Sequence, residues 1–264
     1  MSRQNRVKLN HLLTTWRTST ISACSWLHKK GVGYDLLNKY RKRGWLKAIG
    51  NGAVARAGDK IDWSGGLYTI QEQLKLPIHV GGKTALLLRG YSHFIPQATG
   101  WTLFLFSPPK TKLPTWFKKY PWGVSLRFVT SNLFASLSEG AFSNHEMGAY
   151  SIRISSLERA IFELLSLVPQ EQSFEEATLL MEGLTTLRPK IVQKLLQMCN
   201  SIKVKRLFLF LAETCNHPWV QRLNLSDINL GKGKRLIEKN GVLNIKYGIT
   251  VPKNLGTHKN EKRS

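Results

Sequence analysis

The stretch Gly31 to Arg56, reading GVGYDLLNKYRKRGWLKAIGNGAVAR, constrains this chain more than any other. On a helix turning about 100° per residue, Gly33, Leu36, Leu37 and Tyr40 point one way, while Tyr34, Asp35, Asn38 and Lys42 point the other. Such a helix packs one face and presents the other, with Lys39 and Arg41 at the margins of the presented side. Gly44 stops it. Trp45 to Ile49 and Ala53 to Arg56 then read as two short strands around Gly50-Asn51-Gly52, which supplies the positive φ angles a tight hairpin demands. A second helix precedes the stretch, so the order is helix, turn, helix, hairpin: the plan of a winged helix-turn-helix, whose second helix enters the major groove of DNA. A basic helix also fits a merely solvated face, and small winged-helix domains serve as protein-docking modules. The motif defines a fold before it defines a partner.

Charge narrows the choice. The 264 residues carry a formal net charge of +23, and the sequence pI of 10.2 points to a polyanionic partner. The distribution is uneven: 16 Lys+Arg face 4 Asp+Glu in residues 1–100, and 5 face none in 101–134. Residues 135–200 are acidic, with 5 against 8, and 201–264 return to 13 against 4. Uniform stickiness would not leave an acidic middle. The length suits two domains of roughly 100 to 150 residues each. Cys24, Cys199 and Cys215 are odd in number and far apart, which indicates neither a disulfide framework nor a zinc site. No apolar run reaches the 18 or so residues of a membrane span. MSRQNRVKLN leads into no apolar signal core, and the expectation is a cytoplasmic protein with no membrane partner.

Along the chain, Val7, Leu9, Leu12, Leu13 and Trp16 predict a first amphipathic helix. Thr18-Ser19-Thr20 offers a hydroxyl cap to a second, in which Ala23, Trp26 and Leu27 share a face and Lys29 and Lys30 close the helix where a backbone phosphate would pass. Asp59, Asp62 and Gly65-Gly66 mark a loop, and Tyr68 to Leu76 a helix that closes the first domain. The core of that domain should draw on Leu9, Leu12, Trp16, Trp26, Leu27, Leu36, Tyr40 and Trp45. Trp101 to Phe106 reads as a buried strand and Val124 to Val129 as an alternating one. Between them, SPPKTKLPTWFKKYPWG interleaves aromatics with lysines, a pattern that either stacks on bases or anchors a surface loop to a sheet. After a strand at Tyr150 to Ile154, Ser155 with Glu158 and Ser173 with Glu176 have capping-box spacing. Arg188-Pro189 opens a further helix and Val204 to Cys215 a fourth. Short strands at Gly241 to Lys246 and Gly248 to Val251 follow, then a basic, disordered tail. The resulting division is 1–78, 79–252 and a tail at 253–264. Gly231-Lys232-Gly233-Lys234-Arg235 serves equally as an anion cradle or as a basic turn.

A catalytic constellation is not visible. Gly81-Gly82-Lys83-Thr84 falls short of a phosphate loop, because Pro77 stands where the leading glycine is required, and a glycine-opened helix explains it better. His11, His28, His79, His93, His145, His217 and His258 show no metal-ligand spacing, and no Gly-x-Ser-x-Gly elbow occurs. The carboxylates are sparse: Glu158 and Glu176 read as helix caps, Glu163 and Glu182 as solvated faces. The expectation is a protein without enzymatic activity, metal or cofactor.

The run WLHKKGVGYDLLNKYRKRGWLKAIGNGAVARAGDKIDWSGGLYTIQ, with SSLERAIFELLSLVP, FEEATLLMEGLTTLRPKIVQKLLQ, KVKRLFLFLAE and INLGKGKRLIEKNGVLNIKYGITVP, resembles AbiEi-type antitoxins over nearly the whole chain. Its most specific parts are Tyr-x-x-x-Gly-Trp-Leu at Tyr40 to Leu46 and Leu-Gly-x-Gly-Lys-Arg at Leu230 to Arg235. These are antitoxins of bacterial type IV toxin-antitoxin, or abortive infection, systems, whose toxins are nucleotidyltransferase-like. The resemblance implies an α+β protein, with an N-terminal winged helix-turn-helix domain that represses its own operon and a larger mixed α+β C-terminal domain that counters the toxin. One departure stands out: the family's wing commonly carries an aromatic after its glycines, where this chain reads Gly-Asn-Gly-Ala-Val-Ala-Arg. Composition and spacing alone yield a basic, two-domain, DNA-binding protein and no more.

The reading is then specific. Asn38 can pair bidentately with an adenine edge, and Lys42 can donate to guanine. Lys29, Lys30, Tyr34, Lys39 and Arg41, with the wing residues Lys47, Asn51 and Arg56, are the expected phosphate contacts on double-stranded operator DNA. Lys232, Lys234 and Arg235 are the expected antitoxin surface, facing a nucleotidyltransferase-like toxin or its nucleic-acid substrate. The alternative is a toxin-sequestering or RNA-binding module that reads no DNA sequence.

Overall fold

The structure is a computed structural model that describes Thr14 and residues 16–91, 101–134 and 140–256. The expected first helix, and with it Leu9 and Leu12, lies outside the described residues except for Thr14 and Trp16. The elements begin with β1 (Ile21–Ala23), α1 (Cys24–Lys29), α2 (Tyr34–Lys42), β2 (Leu46–Ile49), β3 (Ala53–Arg56), α3 (Trp63–Glu72), β4 (His79–Val80) and α4 (Gly82–Leu88). Next come β5 (Thr102–Ser107), α5 (Thr115–Lys119), β6 (Ser125–Thr130), β7 (Phe142–Glu146) and β8 (Ser151–Ser155). The rest is α6 (Leu157–Ser166), α7 (Phe174–Gly183), α8 (Pro189–Met198), α9 (Ile202–Thr214), β9 (Val242–Asn244), β10 (Ile249–Val251) and α10 (Lys253–Gly256), with short 3-10 turns after α9. The fold is α+β. No helix among the described residues is long and apolar enough to cross a membrane.

Two compact units emerge: Met1–His79 with Gly100–Thr130 and Asn144–Arg153, and Val80–Thr99 with Ser131–Ser143 and Ile154–Ser264. The first therefore gathers two segments from beyond the point where the sequence placed its end. In it, β1, β3 and β2 form an antiparallel sheet in that order, with Ile21 opposite Ala55 and Leu46 opposite Arg56. With α1 and α2 between β1 and the hairpin, this is the winged helix-turn-helix connectivity. Its core joins Trp16, Leu27, Val32, Leu37, Tyr40, Leu46 and Val54, and Trp26 and Leu36 pack on it partly buried.

Four expectations need correction here. Thr18 to Thr20 does not cap α1: the Thr20 hydroxyl donates to the Arg17 carbonyl at 2.7 Å, β1 intervenes, and α1 opens at Ala23 without a side-chain cap. Gly65-Gly66 is not a loop. Helix α3 starts at Trp63, five residues before Tyr68, because the Asp62 carboxylate caps it, accepting from the Ser64 and Gly65 amides and from the Ser64 hydroxyl. A Cβ on Gly65 would lie 2.1 Å from the Ser19 carbonyl oxygen, and one on Gly66 2.9 Å from the Phe117 ring, so close packing explains both glycines. Trp45 is no core residue: it is 39% exposed, its ring between Tyr40 and the Arg43 guanidinium. Finally, Lys253–Gly256 of the expected tail is a helical turn, while 257–264 lie outside the described residues.

The added segments supply the parallel pair β5 and β6, with Leu103 opposite Leu126, buried along β5 and alternating along β6 as the sequence suggests. Three contacts tie them to α3: Phe117 against Gly66, the Ser64 and Tyr150 hydroxyls at 2.7 Å, and the Gln71 carboxamide bonded to both the amide and the carbonyl of Arg153.

The second unit is built on α9, buried at every residue from Val204 to Ala212, as befits a central helix. Phe162 of α6 stacks on Phe208 with centroids 4.3 Å apart, and the Trp219 ring also lies against Phe208, at 5.7 Å. Ser173 caps α7 by accepting from the Glu176 amide, and Pro189 opens α8, both as expected. Helix α6, however, is capped by Ser156, because the Ser155 hydroxyl is committed to Glu163 at 2.8 Å. Nor is Glu163 solvated: it is 1% exposed and also accepts from the Gly82 amide and Arg159. That carboxylate at the start of α4, together with Lys83 paired to Glu176, fills the place where a phosphate loop would hold its anion. Glu158 is buried against Arg188. Burial pushes its carboxyl up, but bonds from the Arg188 side chain and amide outweigh this and hold it below the ordinary value.

Candidate nucleic-acid interface

Helix α2 divides its residues as its periodicity requires. Leu37 and Tyr40 are buried and Leu36 half-buried, while Tyr34, Asp35, Asn38, Lys39, Arg41 and Lys42 are exposed. Asp35 stands in the first turn and Lys39, Arg41 and Lys42 in the last, both favoured by the helix dipole. Arg41 offers an N–H to Asn38 Oδ1 at 3.4 Å, longer than a good bond, so a better partner can replace it.

The turn before α2 is held in two ways. The Val32 amide donates to the Leu27 carbonyl at 3.0 Å, and the His28 ring stacks on Tyr34 with centroids 5.0 Å apart and planes 18° from parallel. Tyr34 is 53% exposed, yet this stack fixes its ring at the first helical position. Lys30 lies over the Trp26 ring at 5.7 Å, and Lys29 is exposed beside it. In the wing, Lys47 and Asn51 are exposed. Arg56 differs: its guanidinium pairs with Asp59 at 3.1 Å and donates to the Thr18 hydroxyl, while Asp59 in turn accepts from the Ser19 amide. Arg56 thereby braces the end of β3 rather than presenting a charge. Sequence reasoning missed His28, whose role depends on the turn geometry, and Arg43, whose guanidinium covers Trp45 at 5.5 Å.

Gly231 to Arg235 is an exposed loop, and the carbonyls of its two glycines turn toward α9. The buried Arg206 guanidinium of α9 donates to the carbonyls of Leu230 (2.7 Å), Gly231 (3.1 Å), Gly233 (2.6 Å) and Gly248 (3.3 Å). Gly231 and Gly233 take φ of 64° and 73°, which let the chain curl round that group. Lys232, Lys234 and Arg235 consequently project from a loop built on a cation, beside an open cleft of about 280 Å³ lined by Lys234, Ile245 and Lys246 among others. The motif was visible in sequence, whereas Arg206 at its centre was not.

The thiols add no reactive group: burial pushes Cys199 up to about 11 and Cys215 up to about 12, and all three cysteines are free.

A helix-turn-helix with a cationic, hydrogen-bonding second helix and an antiparallel wing places this chain among the winged helix-turn-helix proteins. Residues 5–97 match the family described as "Transcriptional regulator, AbiEi antitoxin N-terminal domain", and residues 101–252 match "Transcriptional regulator, AbiEi antitoxin, Type IV TA system". The chain belongs to the AbiEi family of antitoxins and transcriptional regulators of type IV toxin-antitoxin systems. No curated protein matches it in sequence. Among solved structures it is similar to the RV2827C protein from Mycobacterium tuberculosis, at 14% identity and a TM-score of 0.56, over 87% of this chain and 85% of that one. At that identity the likeness speaks for the fold alone.

Proposed function

We propose that this antitoxin represses its own operon by binding operator DNA through α2 and the wing, and that its C-terminal part counters a nucleotidyltransferase-like toxin. It acts in the cytoplasm and carries no enzymatic activity of its own. The observation that carries the DNA reading is the outward face of α2: Asn38 and Lys42 exposed at its centre, Lys39 and Arg41 at its margins, on a helix whose inner face is closed by Leu37 and Tyr40. Asn38 and Lys42 read base edges. Lys29, Lys30, Tyr34, Lys39, Arg41, Lys47 and Asn51 hold the backbone, and Arg56 holds the wing in place. Lys232, Lys234 and Arg235 form the surface that opposes the toxin.

The test is gel retardation of the DNA upstream of the protein's own gene. Retention of that DNA, and not of a scrambled duplex of equal length, is the expected result; equal retention of both removes sequence reading from α2. For the second half, full-length Lys232→Ala/Lys234→Ala/Arg235→Ala is co-expressed with the toxin from an unrelated promoter. Loss of colony formation at unchanged antitoxin level is expected, and full protection assigns the activity elsewhere.

A further inference from the structure

The connection from β5 to β6 carries Lys110, Lys112, Lys118 and Lys119, and no Asp or Glu occurs anywhere from 101 to 134. Within it, α5 turns Trp116 and Phe117 inward, 5% and 0% exposed, and leaves Lys118 and Lys119 in solvent. The segment is anchored: Phe117 abuts Gly66 of α3, and Trp122 closes back on it, donating from Nε1 to the Phe117 carbonyl at 2.7 Å. Its other side meets the wing. A Cβ on Gly50 would lie 3.2 Å from Trp116 Cα, and one on Gly52 3.6 Å from the Trp116 ring, so α5 touches the hairpin turn.

We propose that Lys118 and Lys119 extend the DNA-contacting surface beyond the wing, each neutralising a backbone phosphate of the duplex. The inference rests on the DNA reading of α2 and adds to it a segment more than 60 residues away in sequence. A duplex carries one charge per ~1.7 Å of its axis, so an element in contact with the wing tip lies within a lysine's reach of the phosphates next to those the wing meets. No carboxylate of the segment competes for the two ammonium groups. The aromatics favour a paired backbone: Trp116 and Phe117 are packed against protein, and the half-buried Tyr120 and Trp122 rings lie against each other with centroids 4.5 Å apart, so the lysines are the groups the segment offers a nucleic acid.

The experiment measures affinity of the full chain for its own upstream duplex against salt, for wild type, Lys118→Ala/Lys119→Ala and the control Lys239→Ala, an exposed cation of the other unit. Each phosphate contact contributes about 0.9 to the slope of log affinity against log salt, so the double variant should be shallower by about 1.8. Over a fourfold rise in salt its affinity then falls about twelvefold less than that of wild type. An unchanged slope for Lys239→Ala alongside this supports the proposal. A wild-type slope in the double variant overturns it while leaving the DNA reading intact, and an equal loss in Lys239→Ala overturns it in favour of net charge alone. Failure of the wild type to retain the duplex at all overturns the DNA reading and this extension together.

Discussion

Two basic, glycine-bounded segments of this chain are built in opposite ways. Helix α2 displays its cations on a surface whose support is apolar, with Leu37 and Tyr40 beneath them. The loop Gly231 to Arg235 displays its cations over another cation, the buried Arg206, which is satisfied by carbonyls of the loop itself. Apolar support leaves the outward residues of a helix independent of one another. A guanidinium at the centre of a loop makes the loop's shape depend on one side chain. The first surface can lose a residue and keep its geometry, whereas the second keeps its charge but loses its geometry when Arg206 is changed.

The sharpest way to break this comparison is Arg206→Met, which leaves the carbonyls of Leu230, Gly231 and Gly233 without their donor. A loss of about 3–5 kcal/mol in unfolding free energy is expected, since each buried acceptor left without a donor costs about 1–3 kcal/mol. Calorimetric unfolding checks it, and DNA retention by the surviving folded protein should be unchanged. If the variant melts like wild type, the loop does not depend on its guanidinium. Next in size is Asn38→Ala, expected to cost about 1–3 kcal/mol on the operator and little on random duplex, against Lys30→Ala, which should weaken both alike. Titrations with the two DNAs measure the contrast, and equal losses for Asn38→Ala would demote it to a backbone contact. The smallest effect is confined to acid. Because the folded-state carboxyl of Glu158 sits below its ordinary value, its pairing with Arg188 stabilises the fold above the unfolded value and the stabilisation is lost as pH falls through the folded one. Glu158→Gln should flatten that part of the stability profile. A persistent acid limb in urea melts of the variant would point to another carboxylate.

What could be read from the sequence follows the same division. The face of α2, the hairpin at Gly50 to Gly52, the buried run in β5 and the caps at Ser173 and Pro189 are local: each is specified by residues within one or two turns of one another. Where reading failed, the deciding partner was distant. Gly65 and Gly66 have turn-forming chemistry, and only Ser19 and Phe117 explain their place in a helix. Glu163 has the spacing of a solvated residue until Gly82, Ser155 and Arg159 converge on it. Trp45 has the chemistry of a core residue, yet its ring stays exposed beside Tyr40 and Arg43. The bonds of Arg56 to Asp59 and Thr18 are likewise invisible in its local pattern.

The glycines of α3 also set the terms on which this protein can change. At Gly65 even a methyl group meets the Ser19 carbonyl at 2.1 Å, so nearly any substitution forces the helix away from the chain entering β1. Asn38 and Lys42 are exposed, with the Arg41 guanidinium 3.4 Å from Asn38, so a new side chain there meets no such barrier. Mutational tolerance is thus partitioned by distance of approach: the positions proposed to choose a binding sequence lie open to solvent, while the scaffold hangs on residues too small to be replaced. On the proposed reading, new operators are then reached by single substitutions on the exposed face of α2 that leave the close contacts of Gly65 and Gly66 untouched.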